Sequence, residues 1–208
     1  MRLAGLITIL ILFWLSIKPL PAMCGVHEGW KLESDVAGIK LYSRVIEGSP
    51  FRQVKATAAV GASFEAVVGI LTDYANYKLW MNNITDSQVI EQSSDTVHYV
   101  YAYEDAPWPV QNRYCVSKMT MTKEEDDATL QFESVPRYMK SPRDAIEFAS
   151  HKGHWKVQRS KTGCEIEYLL EFNPGGHVPS WLANQMAYGG PVKTMQNLRT
   201  LAENKVSP

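Results

Sequence analysis

A chain that reads as strand for most of its length and as helix only at its end has few ways to fold. Residues 173–205, NPGGHVPSWLANQMAYGGPVKTMQNLRTLAENK, begin with the turn cluster Asn173-Pro174-Gly175-Gly176, which ends any strand before it. Pro179 and Ser180 then read as a helix start, with Ser180 or a neighbouring polar group as the cap. From there Trp181, Leu182, Met186, Val192, Met195, Leu198, Leu201 and Ala202 recur at helical spacing. Gly189-Gly190-Pro191 cuts the run, because proline has no N–H to donate and glycine lowers helix propensity by about 1 kcal/mol relative to alanine. The pattern predicts two helical halves with a weak joint. An amphipathic helix of this kind needs a sheet to lie on.

The sheet is legible upstream. Residues 39–46 (IKLYSRVI) and 53–60 (QVKATAAV) alternate as strands around the turn Glu47-Gly48-Ser49-Pro50. Ser63 caps a helix with Glu65 in its first turn and Phe64, Val67, Val68 and Leu71 on the buried face; Trp80 is expected to be buried beside its end. Residues 25–34 read as irregular, with Trp30 as a plug. From 84 to 172 everything reads as strand and turn: 87–92, 97–104, a break at 105–111 that holds two prolines, a hairpin of 113–122 and 129–134, and another of 145–158 and 164–172. In the last strand Ile166, Tyr168, Leu170 and Phe172 face one way, and Glu165, Glu167 and Glu171 the other. The order β-β-α-β(several)-α, without repeat or linker, predicts one α+β domain over residues 25–208, with an antiparallel sheet under a C-terminal helix.

Residues 1–24 read as a targeting segment. Arg2 precedes an apolar run at 3–17 that Lys18-Pro19 ends, short for a spanning helix and long enough for an export signal. Ala22-Met23-Cys24 is a poor cleavage site, so cleavage, lipidation at Cys24 and retention as an anchor all stay open. The expected location is exported, periplasmic or secreted, with tethering by residues 3–17 as the variant. Without Arg2 and Lys18 the body carries 19 basic against 22 acidic residues, a balance of −3. That excludes nothing but gives no reason for a nucleic-acid partner or for tight docking on anionic lipid. Cys115 and Cys164 fall at opposite ends of non-adjacent strands and are expected to be free thiols.

No catalytic motif is present. His151 and His154 are three apart on a strand and point to opposite faces, unsuited to sharing a metal; scattered solvent-facing or satisfied histidines are the expectation. Ser141 and Ser180 lack a nucleophile elbow. The unusual residues are aromatic and apolar. Val97, Tyr99, Tyr101 and Tyr103 share a strand face, and so do Arg113, Cys115, Ser117, Met119 and Met121. If the latter face is interior, Arg113 is either an arginine paired to an acid at the rim of an ordinary core or the polar group of an apolar ligand cavity. The residues alone leave both open.

Residues 105–114, Asp-Ala-Pro-Trp108-Pro109-Val110-Gln-Asn-Arg113-Tyr114, resemble the Trp-Pro-hydrophobic-x-x-Arg-Asp segment of START (steroidogenic-acute-regulatory-related lipid transfer) domains. Gly153-His154-Trp155 resembles their Gly-x-Trp strand, and NPGGHVPSWLAN at 173–184 resembles the approach to their last helix. Tyr114 stands where the family has an acid. The resemblance, which runs from Trp30 to Lys205, implies a helix-grip fold with an apolar tunnel that shields one lipid or sterol from water. It implies a carrier and not an enzyme, with no cofactor or metal, a lipid partner, transient membrane contact and a monomer. Tyr99, Tyr101, Met119, Trp155, Tyr168 and Leu170 are expected to line the tunnel, with Arg113 at its polar end and Trp181, Met186 and Met195 contributed by the helix. The rivals are a cyclase- or hydratase-like enzyme of the helix-grip superfamily and a ligand-free interaction module whose groove is filled by side chains.

Overall fold

The computed structural model describes residues 29–142 and 144–204. The targeting segment and Cys24 lie outside the described residues. The chain runs β1 (Lys31–Val36), β2 (Ile39–Val45), β3 (Arg52–Val60), α1 (Phe64–Thr72), a 3-10 turn (Tyr74–Leu79), β4 (Ile84–Gln92), β5 (Val97–Glu104), β6 (Asn112–Lys123), β7 (Asp127–Ser134), β8 (Ala145–Glu147), β9 (Ser150–Ser160), β10 (Gly163–Asn173) and α2 (Ser180–Asn204). The strands make one curved sheet in the order β1-β2-β3-β10-β9-β7-β6-β5-β4, antiparallel along that path. The short β8 lies off it, parallel to the start of β6.

Alternation decides which face is covered. On β10, Ile166 and Tyr168 are buried inward while Glu165, Glu167 and Glu171 point outward. β3, between β2 and β10, is covered on both sides. Val54, Ala56 and Ala58 lie beside Leu170, Tyr168 and Ile166 on the inner face. On the outer face the Lys55 ammonium sits 4.8 Å from the Trp30 ring and 3.8 Å from Glu167, and the Arg44 guanidinium lies 4.6 Å from the same ring. Trp30 is therefore a cover for the outer face, not a plug for the interior. The helix at Ser63 forms as its cap predicts: the Ser63 hydroxyl accepts from the Ala66 N–H at 3.2 Å, and Phe64, Val67, Val68, Ile70 and Leu71 are buried. Trp80 meets Trp155 edge to face at 5.6 Å in the core.

Three expectations are corrected. Residues 31–36 form an edge strand where irregular chain was expected; its polar residues on both faces hid it, since only one side of it is paired. The single strand expected at 145–158 is two. The Phe148 N–H donates to the Tyr114 carbonyl at 3.0 Å, which holds β8 beside β6, while β9 starts again at Ser150 between β7 and β10. Lastly, α2 is one helix of 25 residues with Pro191 inside it, not two halves. Side-chain bonds on both sides of the proline hold it as one element. The Asn184 amide donates to the Pro50 carbonyl at 3.1 Å and its oxygen accepts from the Arg52 N–H at 2.9 Å. Beyond Pro191 the Thr194 hydroxyl accepts from the Asn82 N–H at 3.1 Å, Asn197 donates to the Trp80 carbonyl at 3.0 Å, and Glu203 accepts from the Gly61 N–H at 3.0 Å. Tertiary bonds at this density outweigh a local helix penalty of about 3 kcal/mol.

Candidate ligand-binding site

The C-terminal half of α2 packs solidly on the sheet through Met195, Leu198 and Ala202. Its N-terminal half does not. There it turns small residues, Ala183, Ala187, Gly190 and Pro191, toward the sheet, and between them and the strands lies a cavity of about 370 Å³. A second lobe of about 60 Å³ runs deeper, past Val100, Ala102, Cys115, Ser117, Met119 and Trp155. Met81, Ile84, Glu104, Phe148, His151 and Tyr168 border both lobes, so these six residues form a waist between them. The larger lobe is of ligand-pocket size, within the roughly 300–1,000 Å³ of small-molecule sites.

Of the residues expected to line a tunnel, Arg113, Leu170 and Met186 border the outer lobe, Met119 and Trp155 the inner one, and Tyr168 both. Tyr168 lies flat on Trp155, with ring centroids 3.9 Å apart at 7°. Four of the expected residues lie elsewhere. Tyr99 and Tyr101 are on the opposite face of β5, where they cluster with Tyr114, Val116 and Ala145. Register gives the reason: Tyr101 pairs with Val116 and Tyr99 with Lys118, whereas Ala102 pairs with Cys115 and Val100 with Ser117. Directly opposed residues share a face. The faces of Tyr99 and of Arg113 were thus never both interior. Trp181 is 67 % exposed, and Met195 is in the solid core under the far half of α2.

Arg113 fits neither of its two expected roles cleanly. It is only 3 % exposed, and its guanidinium is spent on backbone carbonyls: Nε donates to Pro174 at 2.8 Å, one terminal nitrogen to Gln111 and to Asn112 at 3.3 Å, and the other to Gly175 at 3.4 Å. It ties the 173–176 turn to the start of β6 and so sets where α2 begins. Both glycines of that turn have positive φ, 67° and 64°, and a Cβ on Gly175 would stand 3.0 Å from the Glu147 carbonyl oxygen. The turn needs glycine there.

Two residues of the waist had no place among the expected ligands. Glu104 pairs with Arg113 across the strands but forms no ion pair with it; burial pushes its carboxyl up to about 7, against the pull of the Arg113 charge and of a hydrogen bond from Asn83. His151 is not the satisfied or solvent-facing histidine expected. It stacks on Phe132 at 4.9 Å, its Nδ1 is buried without a partner, and burial pushes it down to about 4. His154, as expected, points the other way, 2.9 Å from Glu167 on the outer face. The signal that could have found Glu104 is its parity with Val100 and Ala102, once the partner strand's inner face is taken as that of Arg113, Cys115 and Met119. For His151 it is the three-residue offset from a histidine on the wet side. Cys115 and Cys164 are buried free thiols, and burial pushes Cys115 up to about 12. Among the described residues no group of three or more His, Cys, Asp or Glu side chains is placed to hold a metal.

The sequence model of the START domain matches residues 20–206 of the chain. The crystal structure of a STAR-related lipid transfer protein from Xanthomonas axonopodis superposes with a TM-score of 0.79 at 34 % identity, over 85 % of this chain and 99 % of that one. Mouse phosphatidylcholine transfer protein is 24 % identical over 195 residues, spanning 88 % of this chain and 87 % of that protein. An uncharacterised Pseudomonas aeruginosa protein is 28 % identical over 180 residues, with 86 % and 89 % covered.

Proposed function

The chain belongs to the START domain family, and from that premise we propose that it binds one lipid or sterol-like molecule in the cavity under α2 and carries it through an aqueous compartment. The observation that carries this reading is the hollow between the sheet and the small-residue half of α2, whereas beyond Thr194 the same helix packs Met195, Leu198 and Ala202 into the core. An apolar ligand there gains about 25 cal/mol for each Å² of its apolar surface removed from water. Carriage fits the cavity better than catalysis does, because Arg113, the one arginine among the described residues that border it, is occupied by backbone carbonyls and the Cys115 thiol is held protonated.

We extend the reading to the membrane. Trp108, 92 % exposed, stands on the loop whose neighbours Ala106, Pro107 and Val110 wall the cavity, and the exposed Trp181 stands on the first turn of α2. Two indoles beside an opening suit transient contact with a bilayer surface, since the ring is apolar and the N–H stays wet. A mildly acidic body makes that contact apolar in origin. The proposed protein acts as a monomer outside the cytoplasm, delivered or tethered by residues 3–17.

The test is extraction of lipid from the purified full-length protein by organic solvent, with mass spectrometry. The wild type is expected to yield close to one lipid per chain. Ala187→Phe, which fills the outer lobe from the helix side, is expected to lose most of it while keeping its circular dichroism spectrum. A lipid-free wild type that takes up none on incubation with vesicles would overturn the proposal.

A further inference from the structure

The waist also bears on what kind of ligand fits, if the cavity is a lipid site as proposed above. Six residues border both lobes, and only Glu104, His151 and Tyr168 among them bring polar side-chain atoms. An incoming polar group reaching this depth meets these three. The Arg113 charge is close, but four of its five N–H groups are already donated to Pro174, Gln111, Asn112 and Gly175, and a ligand anion cannot form a two-pronged bond with it without breaking the turn that starts α2. Lys193, the other cation bordering the outer lobe, is exposed at its rim and is no part of the waist.

We propose that the waist is a filter for uncharged polar groups: the ligand carries a hydroxyl or an amide at the level of Glu104 and His151, and lipids that would place a carboxylate or a phosphate there are rejected. A buried anion needs a countercharge, and the waist offers a carboxyl in its place: the donors there, on Tyr168, His151 and the Glu104 acid, are neutral, and the nearby Arg113 charge is spent on backbone carbonyls. A second cation is disfavoured in turn by the guanidinium opposite Glu104. A hydroxyl meets the available chemistry fully. It can donate to the Glu104 carboxylate or accept from the carboxylic acid, and it can bond the partnerless Nδ1 of His151 in either tautomer. An amide does the same with its N–H and C=O. Burial keeps the His151 imidazole uncharged and raises the Glu104 carboxyl to about 7, and a neutral hydroxyl or amide can bond to either form of that carboxyl. Beyond the waist the inner lobe takes a short apolar end, and the outer lobe takes the remainder under α2.

The experiment uses full-length protein stripped of lipid and four probes with the same saturated acyl chain: the free fatty acid, lysophosphatidic acid, the monoacylglycerol and the N-acylethanolamine. Binding is measured at slightly alkaline pH, where the first two are charged. The hydroxyl and amide probes are expected to bind at least about tenfold tighter than the two anions, equivalent to about 1.4 kcal/mol. Glu104→Gln is expected to narrow that gap by strengthening the anionic probes. His151→Phe is expected to weaken the hydroxyl and amide probes severalfold and leave the anions alone. Should either variant fail to fold, the wild-type ranking still decides. Anionic probes that bind as tightly as the neutral ones overturn the filter and leave the carrier reading standing. Failure of the hydroxyl and amide probes to bind also overturns the filter, and the carrier reading then stands or falls by the lipid extraction described above.

Discussion

The two halves of α2 share one axis and one sheet, yet they finish the interior in opposite ways. Beyond Thr194 the helix presses Met195, Leu198 and Ala202 into the core, and side-chain bonds from Thr194, Asn197 and Glu203 to Asn82, Trp80 and Gly61 lock it. From Ser180 to Pro191 it offers alanine, glycine and proline, and the void that remains is lined with a carboxyl and an imidazole. Stability and binding are thus assigned to different turns of a single element. The solid half holds the grip closed on the sheet, and the hollow half can be kept open because it is not asked to do so.

The largest test of that division is truncation of a side chain on each half. Leu198→Ala is expected to cost about 2–5 kcal/mol, because it opens a cavity where neighbours cannot collapse, and to lower the melting temperature by about 5–15 °C. Met186→Ala, on the hollow half, enlarges a void that already exists and is expected to cost less than half as much. Equal losses in thermal unfolding would erase the distinction between the halves.

A smaller effect separates the two polar groups of the hollow half. The Glu104 carboxyl, at about 7, keeps its proton in the folded state over a range where the unfolded chain has lost it, so stability falls as pH rises from about 4.5 to 7. His151, at about 4, does the reverse. The unfolded imidazole gains a proton that the folded one refuses, and stability falls as pH drops from about 6.5 to 4. Where the windows overlap, roughly pH 4.5–6.5, the slopes oppose each other and their sum is flat. Glu104→Gln should expose the histidine slope, with melting temperature falling toward acid, and His151→Asn the carboxyl slope, with melting temperature falling toward neutral pH. Profiles for the two variants that run parallel would show that these groups do not titrate as their burial dictates.

The smallest effect on the fold belongs to the outside of the hollow half. Trp181→Ser is expected to change stability by less than about 0.5 kcal/mol, as exposed side chains do, while reducing co-sedimentation with neutral phospholipid vesicles severalfold. Undiminished sedimentation would remove Trp181 from the membrane contact.

The sequence was most transparent where one physical demand acted alone. The alternation on β10 and the Ser63 cap each followed from a local rule, and the structure obeys both. It was opaque where the deciding contact is distant. Nothing near Gly189-Gly190-Pro191 announces that Pro50 and Arg52, far back in the chain, will brace the helix across it. At β5 both faces read as apolar, tyrosines on one and small residues on the other, because Tyr138, Asp144 and Ala145 come back over the outside and cover what alternation would have left wet. Which face held the cavity depended on register with β6, and register is not written in either strand by itself. Glu104 was lost for that reason. An acid at the end of an apolar alternation reads as a surface residue until its partner across the ladder is known to be Arg113.

The strand order has a consequence for how the molecule comes to exist. β3 is joined on one side to β2 and on the other to β10, and the Gln53 to Glu171 bond that closes this seam spans 118 residues. The Asn184 to Pro50 bond spans 134. Chains whose contacts are so distant in sequence assemble slowly, because loops must close before any pairing rewards them. During synthesis the meander β1–β3 is made early, and its third strand, apolar on its inner face, waits with an open edge until the distant β10 is available. An open edge of that composition is a template for pairing with the wrong chain. The hollow appears after the sheet, since its roof is contributed by α2, which follows every strand. A ligand present at that moment would meet a site just being closed around it.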